Sequence, residues 1–120
     1  MNLKTPSKLE KILSEGHLAV TSECGPPRGS NPQPIIDKAE MIKDHVDAIN
    51  ITDNQTSMTR MSSLAACIRL KLMGVEPVLQ MVTRDRNRIA SFLDLNGLVE
   101  PIVKARGIDA AAILRQKMDF

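Results

Sequence analysis

His17-Leu18-Ala19-Val20-Thr21-Ser22-Glu23-Cys24-Gly25-Pro26-Pro27-Arg28-Gly29 is the stretch whose reading decides the fold. His17 to Ser22 predicts a short apolar strand that delivers one carboxylate, Glu23, to its end. The strand cannot go on, because Pro26 and Pro27 lack backbone donors and Gly25 tolerates positive φ. A charged group at the carboxyl end of a buried strand, followed by a rigid loop, is where α/β proteins place their chemistry.

Working back from this strand, Ser7 and Glu10 fit a capping box and Pro6 suits a first-turn position. They predict a helix to about Ser14, closed by Gly16. Working forward, a proline-rich loop runs to Pro34. Ile35, Ile36, Ala39 and Ile42 then recur at helical spacing over residues 35–45. Val46 to Thr52 predicts a second strand, ended by the polar turn Asp53-Asn54-Gln55. Met58, Met61, Leu64, Ala65, Ile68 and Leu72 mark one face of the next helix, stopped by Gly74. Glu76 to Val82 predicts a third strand. A helix to about Asn96 follows, and residues 98–120 read as two short helices punctuated by Pro101 and Gly107.

The expected fold class is therefore α/β: an N-terminal helix, three parallel βα units and a helical C-terminal tail. Strands alternating with amphipathic helices imply a parallel sheet with right-handed crossovers. Three strands do not close a barrel. The pattern predicts either an open three-stranded sheet or the opening part of a larger barrel. Residues 1–120 are expected to form one domain, with 9–90 as the βα part and 91–120 as the tail.

Composition narrows the function classes. Sixteen basic and 14 acidic residues are too balanced for an electrostatic nucleic-acid binder, and no Trp or Tyr offers a stacking platform. Two cysteines, Cys24 and Cys67, supply neither a disulfide framework nor a cysteine-only metal site, and with only two histidines no metal site is expected. No window approaches about 18 apolar residues, and no apolar segment follows the N-terminal lysines. The expectation is a cytoplasmic protein with no membrane span.

If the strands are parallel and adjacent, their ends bring together Glu23 and Cys24, Thr52 to Gln55, and Gln80 with Thr83 to Asn87. A buried carboxylate beside hydroxyl and amide groups suits general acid work, because burial raises its pKa. The plainer alternative is a solvated loop residue. Cys24 has no histidine placed beside it and reads as an inert thiol. Arg84-Asp85-Arg86-Asn87-Arg88 reads as a phosphate-binding helix start or as a solvated cluster of internal ion pairs.

Three of these segments resemble the methylenetetrahydrofolate reductase family, flavin-dependent TIM barrels. Thr21-Ser22-Glu23-Cys24-Gly25-Pro26-Pro27-Arg28 is similar to the family's first strand, with a Glu shortly before Pro-Pro-Arg. Ile49-Asn50-Ile51-Thr52 is similar to its second strand. Pro77-Val78-Leu79-Gln80-Met81-Val82-Thr83-Arg84-Asp85-Arg86-Asn87 is similar to its third, and the resemblance spans about Leu9 to Ala90. It implies a partial (β/α)8 barrel and an oxidoreductase of one-carbon metabolism, which passes hydride from reduced FAD to 5,10-methylenetetrahydrofolate.

Under the resemblance Glu23 is the catalytic acid and Thr52 a flavin contact. Gln80 is a further cofactor contact, standing where many members carry His. The folate is the implied substrate. No Gly-Asp pair follows Ala90, although the family's fourth strand ends in one, so a truncated or partial chain is expected. The alternative is a non-catalytic assembly module, in which a second copy or a partner subunit covers the open sheet edge.

Overall fold

The computed structural model describes Leu3, residues 7–84 and Asn87. The chain divides into two units, Met1–Val82 and Thr83–Phe120, and nearly all described residues belong to the first. The helix expected after Asn87 and the tail over 98–120 lie outside the described residues.

Helix α1 spans Lys8–Ser14. Its start follows from Ser7, whose Oγ accepts a hydrogen bond from the Glu10 N–H at 3.2 Å. Its end follows from Gly16, which takes a left-handed φ of 78° while the His17 N–H donates to the Ile12 carbonyl. Strand β1 is Thr21–Cys24, shorter and later than His17 to Ser22, so Glu23 sits inside the strand. The apolar run before it stays out of the core, with Leu18 and Val20 exposed, and Val20 is held only at Asp47, whose N–H donates to the Val20 carbonyl at 2.7 Å and whose carboxylate accepts from the Val20 N–H at 2.9 Å. Apolar content alone placed the strand too early.

Helix α2 spans Gln33–Ile42, two residues ahead of its expected start. Proline is tolerated in a helix's first turn, and the Asn31 side chain accepts from the Gln33 N–H, so Pro34 falls inside the helix. Strand β2 is Ala48–Ile51. Helix α3 spans Ser63–Leu72, capped by the Ser62 hydroxyl and closed at Gly74. Met58 and Met61, expected on its apolar face, precede it. Met58 follows a short 3₁₀ turn over Gln55–Ser57. Strand β3 is Pro77–Leu79.

The three strands form one parallel sheet in the order β1-β2-β3. Helices α2 and α3 pack on each other and on the same face of the sheet. That face carries the core: Cys24, Ile35, Ala39, Ile49, Ile51, Ala66, Cys67, Leu70 and Val75. Among the described residues the opposite face has no helix laid across it. Alternation along the strands therefore assigns Cys24, Ile51 and Leu79 to the core, and Glu23, Asn50 and Val78 to the open face.

The starts of the strands are tied by a polar cluster. Glu76 Oε1 accepts from the Ser7 hydroxyl at 2.7 Å and Oε2 from Lys71 at 2.9 Å. Burial acts to raise the Glu76 pKa, but Ser7, Lys71 and the Lys8 backbone outweigh it and hold the group below its ordinary 4.5. A carboxyl with a depressed native pKa contributes stability above its unfolded value and loses it as pH falls through the native one. Glu76→Gln is therefore expected to cost about 1–3 kcal/mol at pH 7. Thermal unfolding from pH 7 to pH 3 is expected to show the gap between wild type and variant narrowing below about pH 4.5.

Candidate functional site

The carboxyl ends of β1, β2 and β3 lie side by side. Glu23 is the register partner of Asn50, which is the partner of Val78. Two residues further along each strand come Gly25, Thr52 and Gln80, on the same open face by the alternation of the pleat. The Gln80 N–H donates to the Ile51 carbonyl at 3.2 Å and the Thr52 N–H to the Cys24 carbonyl at 3.3 Å, so strand-like pairing carries on into this row. Glu23, Thr52 and Gln80 thus share one face at three successive strand ends.

Their environments differ. Glu23 is exposed, so the burial on which an acid role was expected to rest is missing; equally, it is a strand residue and not part of a solvated loop. Thr52 is 3% exposed, and its Oγ1 is buried with no hydrogen-bond partner. A native buried hydroxyl is normally paired, so an orphan at a strand end marks a place where a partner belongs. Gly25 lies against it. A Cβ at Gly25 would stand 3.5 Å from Oγ1, an ordinary van der Waals contact. The glycine's φ is not positive; in this loop the left-handed glycine is Gly29, at φ 130°. Gln80 is half-buried, and its backbone carbonyl accepts from the Ser63 hydroxyl at 2.8 Å.

Loops hold this row in place. Arg60 donates to the Pro26 carbonyl at 3.0 Å and the Met61 N–H to the Pro27 carbonyl at 2.8 Å, joining the loop after β1 to the loop after β2. The buried Asp53 accepts from the Val82 N–H at 2.9 Å, joining the end of β2 to the chain after β3. Asn54, Thr56 and Ser57 adopt φ of 44°, 60° and 56°. Left-handed backbone costs a non-glycine residue about 1–3 kcal/mol, most for β-branched threonine, and persists only where surrounding bonds enforce it. Within this turn the Ser57 N–H donates to the Asn54 carbonyl at 3.2 Å and the Arg60 N–H to Asn54 Oδ1 at 3.3 Å.

Cys24 and Cys67 are buried free thiols, both in the core and neither on the open face. Burial raises the Cys24 pKa, with Glu23 adding to the rise and Lys38 opposing it. Burial alone pushes Cys67 up to about 11. Both stay protonated at neutral pH and are poor nucleophiles. Among the described residues no cluster of three or more His, Cys, Asp or Glu could hold a metal. No helix of the described residues is long and apolar enough to cross a membrane.

Sequence reasoning singled out Glu23, Thr52 and Gln80 and named Asp53 only as part of the turn Thr52 to Gln55, but passed over Asn50 and Arg60 as site residues. Asn50 was available from period-two alternation, which puts it on the face of Thr52. Asp53 and Arg60 were not, because their roles depend on loop paths that no periodicity encodes. Of the Arg84 to Arg88 cluster, Arg84 is exposed, while residues 85, 86 and 88 lie outside the described residues. A family model described as "Family of unknown function (DUF6638)" matches residues 61–120. No curated protein and no solved structure matches the chain.

Proposed function

The chain belongs to that family of unknown function, DUF6638, and from the geometry of its strand ends we propose that it is a methylenetetrahydrofolate reductase-like oxidoreductase module. The observation that carries the reading is the placing of Glu23, Thr52 and Gln80 on one open face at three successive ends of a parallel sheet. In this reading the sheet is the opening part of a (β/α)8 barrel, whose chemistry gathers at the carboxyl ends of its strands.

In this reading Thr52 and Gln80 are the flavin contacts. The orphan hydroxyl of Thr52 supplies a donor and an acceptor that have no internal partner, and the Gln80 side chain supplies an amide of either polarity. Bound FAD would supply the hydride that reduces the methylene carbon of 5,10-methylenetetrahydrofolate. In this reading Glu23, whose carboxyl lies on the same face, delivers the proton that the folate takes up as its methylene bridge opens.

The test is methyltetrahydrofolate oxidation coupled to menadione, with the full chain supplied with FAD. The expected result is FAD-dependent turnover that Thr52→Val and Gln80→Leu together abolish. Turnover that never rises above the enzyme-free rate would remove the reading.

A second reading, an assembly module, draws on a different observation. Leu64, Ile68 and Leu72 recur at four-residue steps along α3 and are all exposed, and the outer edges of β1 and β3 are unpaired among the described residues. Light scattering would favour it if the chain elutes as an oligomer that Ile68→Glu converts to monomer.

A further inference from the structure

A second candidate site lies off the open face, in a groove between the loop after β1 and helix α3 whose floor includes the apolar Met61 and Ala65. A groove of about 450 Å³ is lined there by Gly29, Ser30, Thr59, Arg60 and Arg69 among others, and no carboxylate lines it. Arg60 spends one guanidinium nitrogen on the Pro26 carbonyl, while its Nε is buried and has no hydrogen-bond partner. Among the described residues neither Arg60 nor Arg69 forms an ion pair with a carboxylate. Two unneutralised guanidiniums beside two hydroxyls are the chemistry that recognises a tetrahedral oxyanion, because each planar fork can give parallel N–H donors to its oxygens.

We infer that this groove binds a phosphate group, with Arg60 and Arg69 as its charged donors and Ser30 and Thr59 as its neutral ones. The half-buried Arg60 is the fixed member, held by its contact with the Pro26 carbonyl. Arg69, exposed on the second turn of a capped helix, is the member that can be removed without disturbing the fold. The inference does not depend on the oxidoreductase reading, since no residue of the groove belongs to the Glu23, Thr52 and Gln80 row.

The experiment is calorimetric titration of the full chain with inorganic phosphate at constant ionic strength, repeated for Arg69→Ala, Arg69→Lys and Lys11→Ala. Saturable one-to-one binding is expected, weakened about tenfold or more by Arg69→Ala and less by Arg69→Lys, which keeps the charge but loses the fork. Lys11, exposed on α1, is expected to leave binding unchanged when replaced. Circular dichroism of each variant checks that the helices persist. The inference is overturned if phosphate does not bind saturably, if Arg69→Ala binds as wild type does, or if Lys11→Ala weakens binding as much as Arg69→Ala.

Discussion

Glu23→Gln is expected to slow menadione-linked methyltetrahydrofolate turnover by about 10²–10⁴-fold, the usual contribution of a positioned general acid or base. The fold should not notice the change. Glu23 is exposed and its carboxylate makes no hydrogen bond or ion pair, so removing its charge leaves no group unsatisfied. An unaltered melting temperature with lost turnover would assign the effect to chemistry. Turnover unchanged by the substitution would remove Glu23 from the mechanism. FAD affinity should survive, because the flavin contacts are assigned to Thr52 and Gln80.

The second large effect concerns stability. Ile49→Ala is expected to destabilise the chain by about 2–5 kcal/mol, combining lost transfer free energy with the cavity left behind. Ile49 is 0% exposed on the central strand and packs in the cluster that α2 and α3 cover. Its backbone N–H also donates to the Glu76 carbonyl at 2.9 Å, which ties β2 to the start of β3. A cavity at this position loosens the strand that carries Thr52 as well as the helix layer. Small domains are stable by only about 5–15 kcal/mol, so the loss is a large share of the total. Urea unfolding should show a lower midpoint at an unchanged slope. Leu72→Ala on α3 is the comparison: 78% exposed, it should change stability by no more than about 0.5 kcal/mol.

How much of this was legible depended on whether a residue's neighbours are close in sequence. Ser7, Gly16 and Gly74 were readable as helix punctuation because capping is local, and each does what its type predicts. The three parallel strands and their order follow from alternation with helices, also a local pattern. The extent of β1 was misread because Leu18 and Val20 look like strand core, yet both side chains stand exposed and the ladder with β2 begins only at Thr21. Met58 and Met61 fitted a helical stripe, but the Ser62 cap starts α3 after them, and the left-handed residues Asn54, Thr56 and Ser57 turn the preceding chain away from helix.

At the site, residue types were legible and environments were not. Glu23 could be named because it closes an apolar run, whereas Thr52 and Gln80 were singled out by the family resemblance. That Glu23 would stand exposed while Thr52 sinks to 3% exposure is set by Gly25, Pro26 and the loop ties through Arg60. Those contacts join residues 34 positions apart, beyond the reach of any local rule.

The most direct test of the central claim, that three strand ends form one ligand site on the open face, is a heteronuclear NMR titration of the full chain with FAD. The account predicts that the largest amide shifts fall on Glu23, Asn50, Thr52, Val78 and Gln80, with the core-facing Ile35, Ala66 and Leu70 little moved. Shifts scattered over the helix layer, or none at the three strand ends at saturating FAD, would contradict it.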